Sequence, residues 1–244
     1  MTEQYYLLER APESPDFASS LQGLGVLDQG LCAVQPGRFT VVYGSAPRVN
    51  FGLWCSVMCQ LTREQGGWGS PTVFVDGGNT FNPYFVSSLA RKNCLSPRSA
   101  LQGIFISRAF TAYQLTQLVF QRLGQALEEY QSQLAIISDL TTLFLDRDIS
   151  PEEVEHIFYQ LTSHLSQLTQ KRNLAILVTH PPSNSKQGVY LQDILHQRAD
   201  ILVKIEENQQ VLKLEVEKHP ELESKPVQLP INSPVTLESF MEER

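Results

Sequence analysis

The sequence predicts an α/β fold with a mainly parallel sheet and helices on both of its faces. Three observations predict it: short, continuously apolar, β-branched runs recur along the chain, stretches with apolar residues at helical spacing separate them, and turn and capping residues stand at the joints. Strands that are apolar throughout, and not merely on alternate residues, are covered on both faces, which is the condition of a parallel sheet.

The first 30 or so residues are polar, and Pro12 and Pro15 interrupt any long helix there. Phe39-Thr40-Val41-Val42-Tyr43, ending at Gly44, reads as a buried strand, and residues from about Phe51 to Arg63 follow at helical spacing. Thr72 to Asp76 is a second strand. Asn82-Pro83 starts a helix, with Asn82 as N-cap and Pro83 where its missing N–H costs nothing. Gly103 to Ser107 is a third strand, followed by a helix of roughly 18 residues with Leu115, Leu118, Val119, Arg122, Leu123 and Leu127 marking one face. Leu134 to Asp139 is a fourth strand, and Ser150-Pro151-Glu152-Glu153 opens a helix with cap, proline and acidic first turn in order. Leu174 to Thr179 is a fifth. Ala199 to Ile205 and Val211 to Val216, joined through Glu206–Gln210, read as a hairpin that extends one edge with antiparallel strands. Pro220, Pro226, Pro230 and Pro234 mark an irregular tail. The expected organisation is an N-terminal extension over 1–21, a core domain over 22–219 and a C-terminal tail over 220–244.

The chain has 244 residues, enough for one core without staples. No apolar run reaches the ~18 residues a membrane helix needs, and the N-terminus lacks the pattern of a secretory signal, so a cytoplasmic protein with no membrane partner is expected. Cys32, Cys55, Cys59 and Cys94 form no Cys-x-x-Cys pair, and Cys55 and Cys59 read as buried small hydrophobes, with no metal implied. A net charge of −7 opposes nucleic-acid binding, which rests on phosphate neutralisation, although a local basic patch stays open.

In open α/β sheets ligands gather at the carboxyl ends of the strands. The residues delivered there are Gly44–Phe51, Asp76–Phe81, Arg108–Phe110, Asp139–Thr142 and His180–Pro182. His180 has no nucleophile placed by sequence to complete a triad, and a structural role is expected. His156 and His164 are spaced too widely for an i, i+4 metal pair. Lys171-Arg172 at a helix end suits the macrodipole.

Taken in order, these segments resemble the RecA-type recombinase core, in the archaeal and eukaryotic strand-exchange branch that includes RadA. The similar segments are Leu27-Asp28-Gln29-Gly30-Leu31, Gly37 to Gly44, Asp76-Gly77-Gly78-Asn79-Thr80-Phe81-Asn82-Pro83, Arg108-Ala109-Phe110-Thr111 with Leu115-Thr116-Gln117-Leu118, the strand ending in Asp139 (the shape of a Walker B strand), and Thr179-His180-Pro181. The resemblance covers roughly residues 22–217 and implies a RecA-like, phosphate-loop-type fold.

The resemblance also implies a phosphate loop of the form Gly-x-x-x-x-Gly-Lys-Ser/Thr, whose backbone N–H groups and lysine hold phosphate while its hydroxyl ligates Mg²⁺. This chain reads Gly44-Ser45-Ala46-Pro47-Arg48-Val49-Asn50-Phe51. Gly44 remains, Val49 stands at the second glycine, Asn50 at the lysine and Phe51 at the hydroxyl, and Pro47 removes a donor. Gly78 stands where the family's water-orienting glutamate is implied. Any nucleotide site is therefore vestigial and would comprise Gly44, Arg48, Asn50 and Asp139, with no catalytic residue and no metal. Arg48 is expected as a solvated loop charge, with a stand-in for the lysine as the other reading. Phe51 is expected to be buried and to fill the former phosphate space. Pro181 to Gln192 takes the place of the family's DNA-binding loop and carries Lys186 as its cation.

Three functions follow as expectations. The first is a non-catalytic RecA-like protein of DNA recombination and repair, a pseudo-ATPase that uses no cofactor and serves as an interaction or regulatory subunit with a protein partner or a second copy of itself. The second is a nucleotide-binding recombination ATPase, with ATP and Mg²⁺, in which Arg48 replaces the lysine. The third is unrelated chemistry at the strand ends through Asp76, Asp139 and His180.

Overall fold

The computed structural model describes residues 34–146, 149–208, 211–221 and 226–230. The expected N-terminal extension, the Leu27–Leu31 segment and Cys32 lie outside the described residues. In chain order the elements are β1 (Phe39–Gly44), α1 (Pro47–Met58), β2 (Thr72–Asp76), α2 (Pro83–Lys92), α3 (Pro97–Gln102), β3 (Ile104–Arg108) and α4 (Ala112–Gln117). A π-helical segment (Leu118–Leu123) leads directly into α5 (Gly124–Glu129), and then follow β4 (Leu134–Ser138), α6 (Pro151–Arg172), β5 (Ala175–His180), α7 (Lys186–Arg198), β6 (Ile201–Glu207), β7 (Val211–Lys218) and β8 (Pro226–Pro230).

The strands make one 8-stranded sheet in the order β3-β2-β4-β5-β1-β6-β7-β8. Strands β3, β2, β4, β5, β1 and β6 pair in parallel, while β7 and β8 run antiparallel. The expected hairpin is present, with β6 and β7 antiparallel at that edge. It joins the sheet through β6, which pairs with β1 in parallel because α7 carries the chain back across the sheet as a crossover before β6 begins. The tail differs from expectation: residues 226–230 form β8 on β7. Proline is tolerated at an edge, where its missing N–H need not serve a second neighbour.

Alternate residues of each strand enter two apolar layers, as the period of two requires. Val42, Phe74, Ile136, Leu177 and Val203 pack under α1 and α2 on one face. Val41, Val75, Ile137, Ile176 and Val178 pack under the helices from α4 to α7 on the other. The capping signals act as expected: Asn82 Oδ1 accepts from the N–H groups of Tyr84 (3.0 Å) and Phe85 (3.1 Å), and Ser150 Oγ accepts from Glu153 N–H (3.3 Å). Cys55 and Cys59 are buried, and burial pushes the Cys59 thiol up to about 12, so neither is a ready thiolate.

Candidate functional site

The parallel strands β1, β4 and β5 are neighbours or next neighbours, so their carboxyl ends converge on one place. The connection from β1 to α1 is short there, only Ser45 and Ala46. Gly44 has φ +118°, and a Cβ on it would stand 2.0 Å from the carbonyl oxygen of Ile205, so only glycine lets β1 pass β6 this closely. Three of the loop's N–H donors are already engaged. Ser45 N–H donates to Ile205 O (2.8 Å), Arg48 N–H to Ser45 O (3.1 Å) and Val49 N–H to Ala46 O (3.1 Å), while Pro47 has no N–H. These bonds leave the loop no open ring of N–H groups of the kind that cradles phosphate.

Arg48 turns back into the strand ends. Its Nε donates to Asp139 Oδ1 (3.2 Å) and its Nη2 to Oδ2 (3.0 Å), a bidentate pair. Its Nη1 donates to the carbonyls of Gly44 (3.3 Å) and Ser45 (3.2 Å). The two side chains keep only 11% and 10% of their surface exposed. The expectation of a solvated loop charge is thus corrected: a guanidinium lying over the end of β4 meets a carboxylate that has few other donors, and desolvation is offset by pairing. Asp139 sits in the left-handed region at φ +48°. Its own N–H donates to Thr179 Oγ1 (3.0 Å), and that hydroxyl donates to Asp139 Oδ1 (3.3 Å).

Gly78 completes the packing, since a Cβ on it would lie 2.7 Å from Asp139 Cβ and 2.8 Å from Oδ2. The place where the resemblance implies a glutamate is therefore held against Asp139, with no room for a side chain in this arrangement. Phe51 is fully buried, as expected, but its ring enters the apolar layer beside Trp54 (centroids 5.7 Å apart). The groups that fill the strand-end site are Arg48 and Asp139. Asn50 lies half-buried on α1, outside this hydrogen-bonded group among the described residues.

Two further clusters flank the pair. Asp76 is fully buried and accepts from Thr80 N–H (2.8 Å), Thr80 Oγ1 (3.3 Å), Phe81 N–H (3.2 Å) and Ser138 Oγ (2.9 Å), with Arg108 Nη2 at 3.3 Å. Its acceptor capacity is spent on holding the β2 loop, which is a structural use. His180, also fully buried, stacks on Tyr43 (5.5 Å between centroids), and its Nε2 lies 3.0 Å from Nε2 of His196 on α7. Burial, with lesser contributions from His196 and Arg48, lowers the His180 pKa to about 4 against the pull of the Pro181 carbonyl. Tyr43 Oη donates to Glu217 Oε2 (2.8 Å). Tyr43, Ser45, Pro182, Lys204 and Lys213 line a cavity of about 620 Å³ at the ends of β1 and β6.

Sequence reasoning missed His196 and the Arg48–Asp139 pair. The available signal was an arginine at the start of α1 together with an aspartate directly after β4. The segment expected as a loop from Pro181 to Gln192 is shorter, because α7 begins at Lys186, capped by Ser185 Oγ accepting from Gly188 N–H (3.0 Å). Lys171 and Arg172 end α6 as expected, and the Arg172 side chain reaches across to donate to Gly124 O (2.9 Å) and pair with Glu128 (2.7 Å).

A parallel sheet of this strand order, entered through a strand–loop–helix at β1 and a strand-end aspartate on β4, defines a RecA-like protein of the phosphate-loop class. The comparisons carry this to a family. The Rad51 family profile matches residues 26–198, and the chain belongs to the Rad51 family. It is 25% identical over 206 residues to the DNA repair and recombination protein RadA of Cenarchaeum symbiosum (strain A), an alignment that covers 75% of this chain and 51% of that protein. The chain thus spans about half the length of that relative. Among the described residues no helix is long and apolar enough to cross a membrane.

Proposed function

We propose that this chain is a non-catalytic member of the Rad51 family, a protein-interaction or regulatory subunit of DNA recombination and repair that does not hydrolyse ATP. The observation that carries the reading is the bidentate Arg48–Asp139 pair. In a working site the cation of the loop faces phosphate; here it is spent on a carboxylate of the same chain and on two loop carbonyls. Arg48 as a substitute for the missing lysine would require breaking a largely buried pair first, which opposes the reading of a nucleotide-binding ATPase. The buried, saturated Asp76 and the neutral, buried His180 likewise argue against new chemistry at the strand ends.

The role proposed in recombination and repair rests on family membership and on the printed description of the RadA relative. A protein partner or a second copy of the chain is proposed in place of a small-molecule ligand, and the net charge of −7 sets any DNA contact on a local patch. The test is thermal unfolding with and without Mg²⁺–ATP, together with phosphate release in the presence and absence of DNA. No stabilisation and no release above background are expected, since a ligand of the native state alone raises its stability by mass action. Release that disappears in Asp139→Asn would overturn the proposal, because a contaminating ATPase does not respond to that change.

A further inference from the structure

The His180–His196 contact has a chemistry of its own. His180 Nδ1 lies 3.0 Å from the carbonyl oxygen of Pro181. A carbonyl only accepts, so Nδ1 carries the hydrogen, and in the neutral ring Nε2 is a bare acceptor. The partner at 3.0 Å, His196 Nε2, must then be the donor. Both tautomers follow from one carbonyl, and the bare nitrogen left over in the pair is Nδ1 of His196.

We infer that His180 and His196 form a proton-counting latch, which holds α7 on the ends of β1 and β5 when the pair carries no added proton or one, and releases it when the pair carries two. The first proton adds to His196 Nδ1 and leaves the Nε2–H···Nε2 bond in place. Burial lowers the His196 pKa, and Glu217 on β7 and Asp193 on α7 oppose that shift by favouring the charge. The second proton has only His180 Nε2 to go to, which sets two N–H groups and two positive charges head to head. That position is fully buried, and Arg48 on α1 adds a further positive charge. Tyr43 on β1 covers both rings, at 5.5 Å from His180 and 4.6 Å from His196, and supplies no counter-charge, because its hydroxyl is held by Glu217.

The latch closes over a specific segment. Pro181 O accepts from His180 Nδ1 and from Gln192 Nε2 (3.2 Å), so the turn 181–185 is tied at its start to both β5 and α7. Pro182, the next residue, lines the cavity at the ends of β1 and β6. Opening the latch therefore frees one wall of that cavity.

Hydrogen exchange of the whole chain, corrected for intrinsic rates and followed from neutral pH downward, tests this. Residues 181–198 are expected to keep their protection while the first proton binds. Protection then falls by about tenfold or more on the second, ahead of β4 and β5, as a local opening does. In His196→Gln the amide donates to neutral His180 and its carbonyl accepts from charged His180, so the local loss is expected to vanish. Loss of 181–198 together with the central strands in the wild-type chain, or an unchanged local loss in His196→Gln, overturns the latch. The tautomers give a second test that needs no variant. Ring nitrogen shifts at neutral pH are expected to report Nδ1–H for His180 and Nε2–H for His196, and the opposite pair overturns the inference.

Discussion

Replacing Arg48 with alanine removes two charge-assisted bonds to Asp139 and two bonds to loop carbonyls in one step. What decides the cost is the carboxylate left behind. Asp139 keeps only 10% of its side-chain surface, and Thr179 Oγ1 at 3.3 Å becomes its remaining side-chain donor. Breaking a buried pair from one side costs about 3–5 kcal/mol, and the residual exposure of both groups places this one near the lower figure, about 3 kcal/mol. Adding Asp139→Asn neutralises the stranded group without disturbing the backbone, since asparagine tolerates the left-handed conformation found at φ +48°. The double variant is expected to recover about 1–2 kcal/mol relative to Arg48→Ala alone, a coupling typical of residues in one network. Equilibrium urea unfolding at neutral pH measures it, with the slope m checked for constancy across the cycle. A cost below about 1 kcal/mol for Arg48→Ala, the scale of an exposed ion pair, or a coupling indistinguishable from zero, refutes the reasoning.

Four other outcomes are expected. Phe51→Ala should destabilise by about 3–5 kcal/mol in the same unfolding assay, the range for a buried phenylalanine, and Asn50→Lys with Phe51→Thr should not confer Mg²⁺–ATP stabilisation in a thermal scan because the loop's N–H groups remain engaged. Gly78→Ala places a Cβ 2.7 Å from Asp139 Cβ and should lower stability by about 1–3 kcal/mol; an unchanged melting temperature would show that the two loops part freely. Stability should also fall as pH drops from 6.5 to about 4, because unfolded His180 binds a proton that the folded ring refuses, a loss of about 3 kcal/mol that His180→Gln should abolish. A profile that is flat, or that is equally steep in the variant, contradicts this.

The strands and helix starts were legible because their causes are local. Apolar runs mark β1, β2, β4 and β5, and Asn82-Pro83 and Ser150-Pro151 place the starts of α2 and α6 within the sequence itself. At the strand ends the sequence shows that Val49, Asn50 and Phe51 differ from the phosphate loop that the resemblance implies. The contacts that hold the strand ends together were not legible. Arg48 and Asp139 are 91 positions apart, and His180 and His196 are joined only once α7 has folded back on β5. Such contacts depend on strand order, which periodicity does not encode. The same holds for β6, whose direction depends on the path of α7, and for β8, whose prolines signal irregularity in sequence and are accommodated at a sheet edge.

The π-helical segment between α4 and α5 has a consequence for how this chain measures length. Leu115, Val119, Leu123 and Leu127 are all buried, and each stands four positions after the last. On a regular α-helix of about 3.6 residues per turn, a strict step of four drifts around the axis by roughly 40° each time, which by Leu127 would carry the side chain away from the sheet. The wider turn at Leu118–Leu123 absorbs that drift. The helix thus contains one residue more than its buried face requires, and the surplus is stored in the backbone, with the packing left in register. Residues on the opposite side of that turn, among them Phe120 and Arg122, are displaced around the axis by the same surplus. The outer surface of this helix is therefore set by a count of residues, independently of which residues they are.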